Sequence, residues 1–156
     1  MQNTSTPSTP AKAGGQRWPR IWGPRFIKLL AFAAALTLYR LLTVHFSGIS
    51  LFFDESQYWD WSRHMDWGYY SKPPFIAALI WLSTQLFGSG VLGVKALGML
   101  TYPATALAMV GYARALWPTS GGVRTGVVAG GLYLTLPMVG ILGLAVSTDG
   151  PLILCW

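Results

Sequence analysis

An all-α, multi-pass transmembrane helical bundle with juxtamembrane helices along its outer face is the fold class this sequence predicts. Three observations lead there. Hydrophobic residues make up 53% of the chain and charged residues only 10%, against roughly 25% charge in an ordinary soluble domain. Long uncharged stretches alternate with short basic segments, the pattern of a chain that crosses a bilayer. The five acids are unevenly placed: Asp54, Glu55, Asp60 and Asp66 fall within 13 residues, and Asp149 stands alone at the end of an apolar run. The net charge is +6, but the bases form no groove-like patch, so no nucleic-acid partner is expected. With one cysteine, Cys155, the chain forms no internal disulfide, and no Cys/His spacing matches a zinc motif.

The elements follow in order. Residues 1–25 are expected to be a disordered, basic cytoplasmic tail, because 1–16 are rich in Thr, Ser, Pro and Gly. Lys12, Arg17, Arg20, Arg25 and Lys28 precede the first uncharged apolar segment without an acid among them. Residues 26–156 are expected to be the N-terminal part of a membrane-embedded domain. A first span at 26–46 is long enough for about 30 Å of hydrocarbon. A cleaved signal peptide is its rival, but no small-x-small site precedes the loop and more spans follow. Residues 47–72 form a polar, aromatic loop in which 55–65 have helical spacing, which predicts a short helix on the membrane surface. The uncharged run 75–87 reaches only about 20 Å as a helix and reads as an interfacial helix. Further spans are expected at 96–113 and 125–148, with Pro137 tolerated inside the latter.

Charge places these segments. If 75–87 does not span, the short connection carrying Arg114 and Arg124 is cytoplasmic, as the positive-inside rule requires. Asp149 then reaches the outer face, beside Asp54 and Glu55. The chain stops six residues into an apolar run after Pro151, so it is expected to be truncated and inactive alone.

The polar residues have plain readings and chemical ones. Asp54 suits an N-cap with Gln57 three residues on. It equally suits a carboxylate at the membrane boundary that takes a proton from an acceptor hydroxyl or holds a divalent metal. Glu55 reads locally as a solvated first-turn acid. Asp149-Gly150-Pro151 reads as an ordinary helix start. Lys72, on extended backbone before two prolines, is an interfacial anchor or a cation for a lipid phosphate. Asp60 is spaced to pair with Arg63 or His64. His64 reads as a surface residue and Arg40 as a span-end residue whose side chain snorkels to the headgroups.

Phe53-Asp54-Glu55, Tyr58-Trp59, and Asp66-Trp67-Gly68-Tyr69-Tyr70-Ser71-Lys72-Pro73-Pro74 together resemble the first outer loop of bacterial C-type glycosyltransferases. These are the relatives of protein O-mannosyltransferases and of the lipid A aminoarabinose transferase. Ser147-Thr148-Asp149-Gly150-Pro151 resembles the acid site that opens their fourth membrane helix. The resemblance implies a membrane enzyme that takes a sugar from a polyprenyl-phosphate carrier at the outer (periplasmic) face of the cell membrane. It would pass that sugar to a lipid, glycan or protein acceptor, with inversion at the anomeric carbon. Asp54 would be the essential acid, Asp149 the second and Glu55 a supporting one. Lys72 would meet the carrier phosphate, with Tyr58 and Tyr70 also binding substrate. Aminoarabinose-type members carry Arg where Gln57 stands and Glu where Ser71 stands. The resemblance therefore implies neither an aminoarabinose donor nor their zinc site, and a divalent metal remains an open possibility. The rival class is a non-enzymatic transporter segment or lipid-binding scaffold. Against it, the charges gather at the membrane surface, whereas transporter sites lie near the midplane.

Overall fold

The computed structural model describes residues 22–118 and 120–156. Most of the expected tail, with Lys12, Arg17 and Arg20, lies outside the described residues. Among the described residues there are seven helices and no strand: α1 (Pro24–Phe46), α2 (Phe53–Arg63), α3 (Phe75–Phe87), α4 (Val91–Leu116), α5 (Ser120–Thr135), α6 (Pro137–Leu142) and α7 (Asp149–Cys155). Two of them, α1 and α4, are long and apolar enough to cross a membrane, with mean hydropathies of 1.7 and 1.3. At 13 residues, α3 is too short to cross as a helix of 1.5 Å rise per residue.

The central element is α4; α1, α3, α5 and α7 all pack on it. The contact with α5 is close because small residues face each other. A Cβ at Gly130 would stand 2.6 Å from the Ala106 carbonyl oxygen, which is how helices approach where lipid supplies no hydrophobic drive. Two cores result. One gathers Phe26, Leu29 and Ala33 of α1 with Tyr102, Ala106 and Val110 of α4 and Tyr133 and Leu134 of α5. The other lies beneath the acidic loop and joins Tyr58 of α2, Ile76 and Ile80 of α3, Val94 of α4 and Val146.

The expected span 125–148 is not continuous. It breaks at Leu136, whose backbone is extended (φ −60°, ψ 131°), because a residue preceding proline is pushed out of the helical region. A short α6 and an irregular stretch, 143–148, then lead into α7. Pro103, by contrast, sits inside α4 without ending it.

Arg40 also departs from expectation. It does not snorkel; it is 2% exposed. Its Nη2 donates to the Val139 carbonyl at 2.8 Å, and its guanidinium lies 5.6 Å from the Tyr102 ring centroid. Gly143 leaves room for the guanidinium, since a Cβ there would fall 2.3 Å from its central carbon, and the Val139 carbonyl accepts from Arg40 alongside the Gly143 N–H.

Candidate functional site

The loop that carries the acids is built around α2. Its N-cap is Phe52, not Asp54. The Phe52 N–H donates to the Glu55 carboxylate at 2.9 Å, so Glu55 performs the capping that spacing assigned to Asp54 and Gln57. Asp54 is thereby released. It is exposed, and no hydrogen bond or ion pair among the described residues engages its carboxylate.

Glu55 is not the solvated acid that its position in a first turn suggests. It is 1% exposed. Beyond its bond from Phe52, it accepts the Val146 N–H and pairs with Lys95 of α4 at 2.8 Å. Lys95 is itself fully buried and also donates to the Leu144 carbonyl at 3.2 Å. The hydropathy pattern treated Lys95 only as the boundary of a span. A lysine near the start of a membrane helix was the signal, and an acid forty residues upstream was the partner it needed.

These contacts bring the lone acid to the cluster. Asp149 begins α7, three residues after Val146, and is exposed. Its N–H donates to Ser147 Oγ at 3.2 Å, and the Ser147 hydroxyl donates back to its carboxylate at 3.3 Å. Gly150 lets α7 seat on α4, for a Cβ there would fall 2.4 Å from Thr101 Oγ1. Tyr58 lies in the field of both exposed acids. Burial lifts its phenol above the usual tyrosine range, and the charges of Asp54 and Asp149 lift it further. Both effects favour the neutral phenol over the phenolate. Among the described residues, no group of three His, Cys, Asp or Glu side chains is gathered as a metal-ligand set.

The rest of the loop returns to α2 through Tyr69. Its ring stacks on Trp61 at 4.6 Å, and its hydroxyl donates toward the Trp61 and His64 carbonyls at 2.9 and 3.0 Å. Those carbonyls lie at the C-terminal end of α2, where the Trp61 carbonyl also accepts the His64 N–H at 3.1 Å. Trp67 and Tyr70 project fully into the surroundings. Asp60 pairs with Arg63 at 2.8 Å, with both side chains exposed, so the pair contributes little. Met65, expected on the helix, falls beyond its end.

Lys72 is half-buried at a cleft of about 400 Å³ between the start of α3 and α7. Phe75, Ile76, Thr148, Leu152 and Cys155 also line it. One cation on an otherwise apolar cleft suits a ligand with an anionic head and a hydrocarbon tail. The structure thus brings Asp54, Tyr58, Glu55 and Asp149 together, puts Lys72 on the cleft bordered by α7, and leaves Tyr70 outside both groups.

Comparison with known proteins supplies the family. Residues 71–156 match the family described as dolichyl-phosphate-mannose-protein mannosyltransferase. A lipid A galacturonosyltransferase of Rhizobium johnstonii is 38% identical over 122 residues, covering 77% of this chain. The chain spans about a quarter of that relative's length, the aligned part being 25% of it. No solved structure matches.

Proposed function

Since this chain belongs to the dolichyl-phosphate-mannose-protein mannosyltransferase family, we propose that it contributes the acid-bearing loop and carrier cleft of a membrane glycosyltransferase. The donor is a polyprenyl-phosphate-linked sugar, and transfer takes place at the outer face of the cell membrane. The acceptor is a hydroxyl on a lipid, glycan or protein, and lipid A is the class suggested by the galacturonosyltransferase relative.

The observation that carries this reading is the cleft with Lys72 on an otherwise apolar wall, bordered by the helix that Asp149 begins. A polyprenyl phosphate has the matching halves. Its phosphate takes the ammonium, which needs charge more than fixed geometry, and its tail takes the apolar wall. In the reaction, the acceptor oxygen attacks the anomeric carbon while the bond from that carbon to the phosphate oxygen breaks. The free carboxylate of Asp54 takes the acceptor proton. Lys72 stabilises the charge that grows on the departing phosphate. Asp149 and the protonated Tyr58 orient the sugar and the acceptor. Arg25 and Lys28 at the start of α1, with Arg114 in the last turn of α4 and Arg124 near the start of α5, support a cytoplasmic N-terminus and an outer-face loop.

Cys155 offers a direct test, being an exposed thiol on the cleft wall. Polyprenyl phosphate should slow its alkylation by a maleimide, whereas polyprenol and inorganic phosphate should each do so far less. Equal rates with and without polyprenyl phosphate would remove the carrier from this cleft.

A further inference from the structure

We propose that Lys95 is a positioning residue which, through its buried ion pair with Glu55, sets the separation of Asp54 and Asp149. The catalytic meaning of that separation rests on the function proposed above; the separation itself does not.

Several segments converge on one ammonium. Lys95 Nζ lies 2.8 Å from Glu55 Oε2, donates to the Leu144 carbonyl at 3.2 Å, and sits 5.1 Å from the Phe52 ring centroid. Glu55 completes the arrangement by accepting from Phe52 N–H and Val146 N–H. Lys95 and Glu55 therefore grip the irregular stretch before α7 at two backbone groups, the carbonyl of 144 and the amide of 146. That stretch has no helix of its own to fix it. Asp54 precedes Glu55 by one residue, and Asp149 follows Val146 by three. The two acids thus hang from opposite sides of a single buried pair.

The charge is what makes the grip work. An ionised carboxylate only accepts, on both oxygens, whereas an amide in its place would present donors to groups that are themselves donors. At 1% exposure, removing the cation would leave Glu55 a buried carboxylate without its ion partner, which is strongly destabilising. Lys95 is that cation, so it acts on the site through Glu55 and not by touching substrate. Apolar packing of equal volume would fill the space without choosing a backbone register.

The test reads distance, not activity. Spin labels go on Gln57→Cys of α2 and Ile153→Cys of α7, in a Cys155→Ser background of the full chain in lipid nanodiscs. The parent chain should give one narrow distance peak. Lys95→Met should lose it, and Lys95→Arg should regain it. Methionine keeps the apolar stem of lysine better than arginine does, so a purely space-filling role predicts the reverse order. If Lys95→Met loses helicity, the Lys95→Met/Glu55→Gln double variant replaces it. That variant leaves no unpaired buried charge and should fold with a broad distribution. A narrow parent-like peak in whichever of the two is folded overturns the proposal. Failure of the carrier reading shows separately, as unprotected Cys155 in the unlabelled chain, and leaves the distance result standing.

Discussion

Gly150→Ala should dislodge α7, and Thr101→Ala should seat it again. A Cβ at 150 stands 2.4 Å from Thr101 Oγ1, but 3.5 Å from Thr101 Cβ and 3.4 Å from Tyr102 Cζ. The whole conflict is with one hydroxyl. That hydroxyl does not swing away freely, because it donates to the Gly98 carbonyl at 2.6 Å inside the buried face of α4. Ordinary contact lies near 3.5–4.0 Å, so α7 must retreat by about 1 Å. Overpacking of this kind destabilises by about 1–3 kcal/mol. Losing the Thr101 hydrogen bond alone costs about 1 kcal/mol. The double variant should therefore be more stable than Gly150→Ala, with a coupling of about 1–2 kcal/mol in a double-mutant cycle. Unfolding in a denaturing-detergent titration measures all four corners. On the function proposed above, the single variant should also lose about a hundredfold in sugar transfer, because Asp149 neighbours Gly150 and a misplaced orienting group has that effect. Additive effects, with no recovery in the double variant, would refute the idea that α7 is held by this contact.

Asp54→Asn should leave the unfolding midpoint unchanged, since the carboxylate bonds nothing among the described residues, yet on the function proposed above lower transfer by about 10²–10⁴-fold; retained transfer would remove Asp54 from the proposed reaction. Lys72→Met should abolish protection of Cys155 by polyprenyl phosphate, and Lys72→Arg should keep most of it, as a point charge and not a fork is needed. Tyr58 should titrate above the ordinary value of 10.0. A raised folded pKa means that its stability contribution is fully present below pH 10.0 and is lost as the pH climbs through the folded value. Difference absorbance of the phenolate should show this, and Asp54→Asn should bring the titration only partway back, because burial is the larger cause.

Much of the architecture is legible along the chain because it depends on local pattern. The uncharged runs place α1 and α4, the aromatic spacing places α2, and the thirteen-residue limit marks α3 as too short to cross. The break at Leu136 was also written locally, in the residue before Pro137, but a membrane helix can absorb proline, as Pro103 does in α4. Which proline breaks its helix is not written in the proline itself, and the arginine that packs on the short helix after the break lies 99 residues from its partner, Val139. The site divides the same way. Motif and charge single out Asp54, Lys72 and Asp149. The burial of Glu55 depends on Lys95 and Val146, and no periodicity links those three positions. A carboxylate in a first turn looks solvated until the tertiary structure supplies a cation.

The bond from Arg40 to Val139 also sets an order of events during biogenesis. At about 5–20 residues per second, the ribosome delivers Val139 roughly 5–20 s after Arg40 has left it. Throughout that interval α1 is in the translocon or the bilayer with a guanidinium that has no partner yet. Arg40 lies six residues from the end of α1, about 9 Å of helix, so its long side chain reaches the headgroups and waits there. Docking of α6 then draws it inward. The nascent helix and the finished one thus hold the same arginine at different depths, and assembly of the later helices is what moves it.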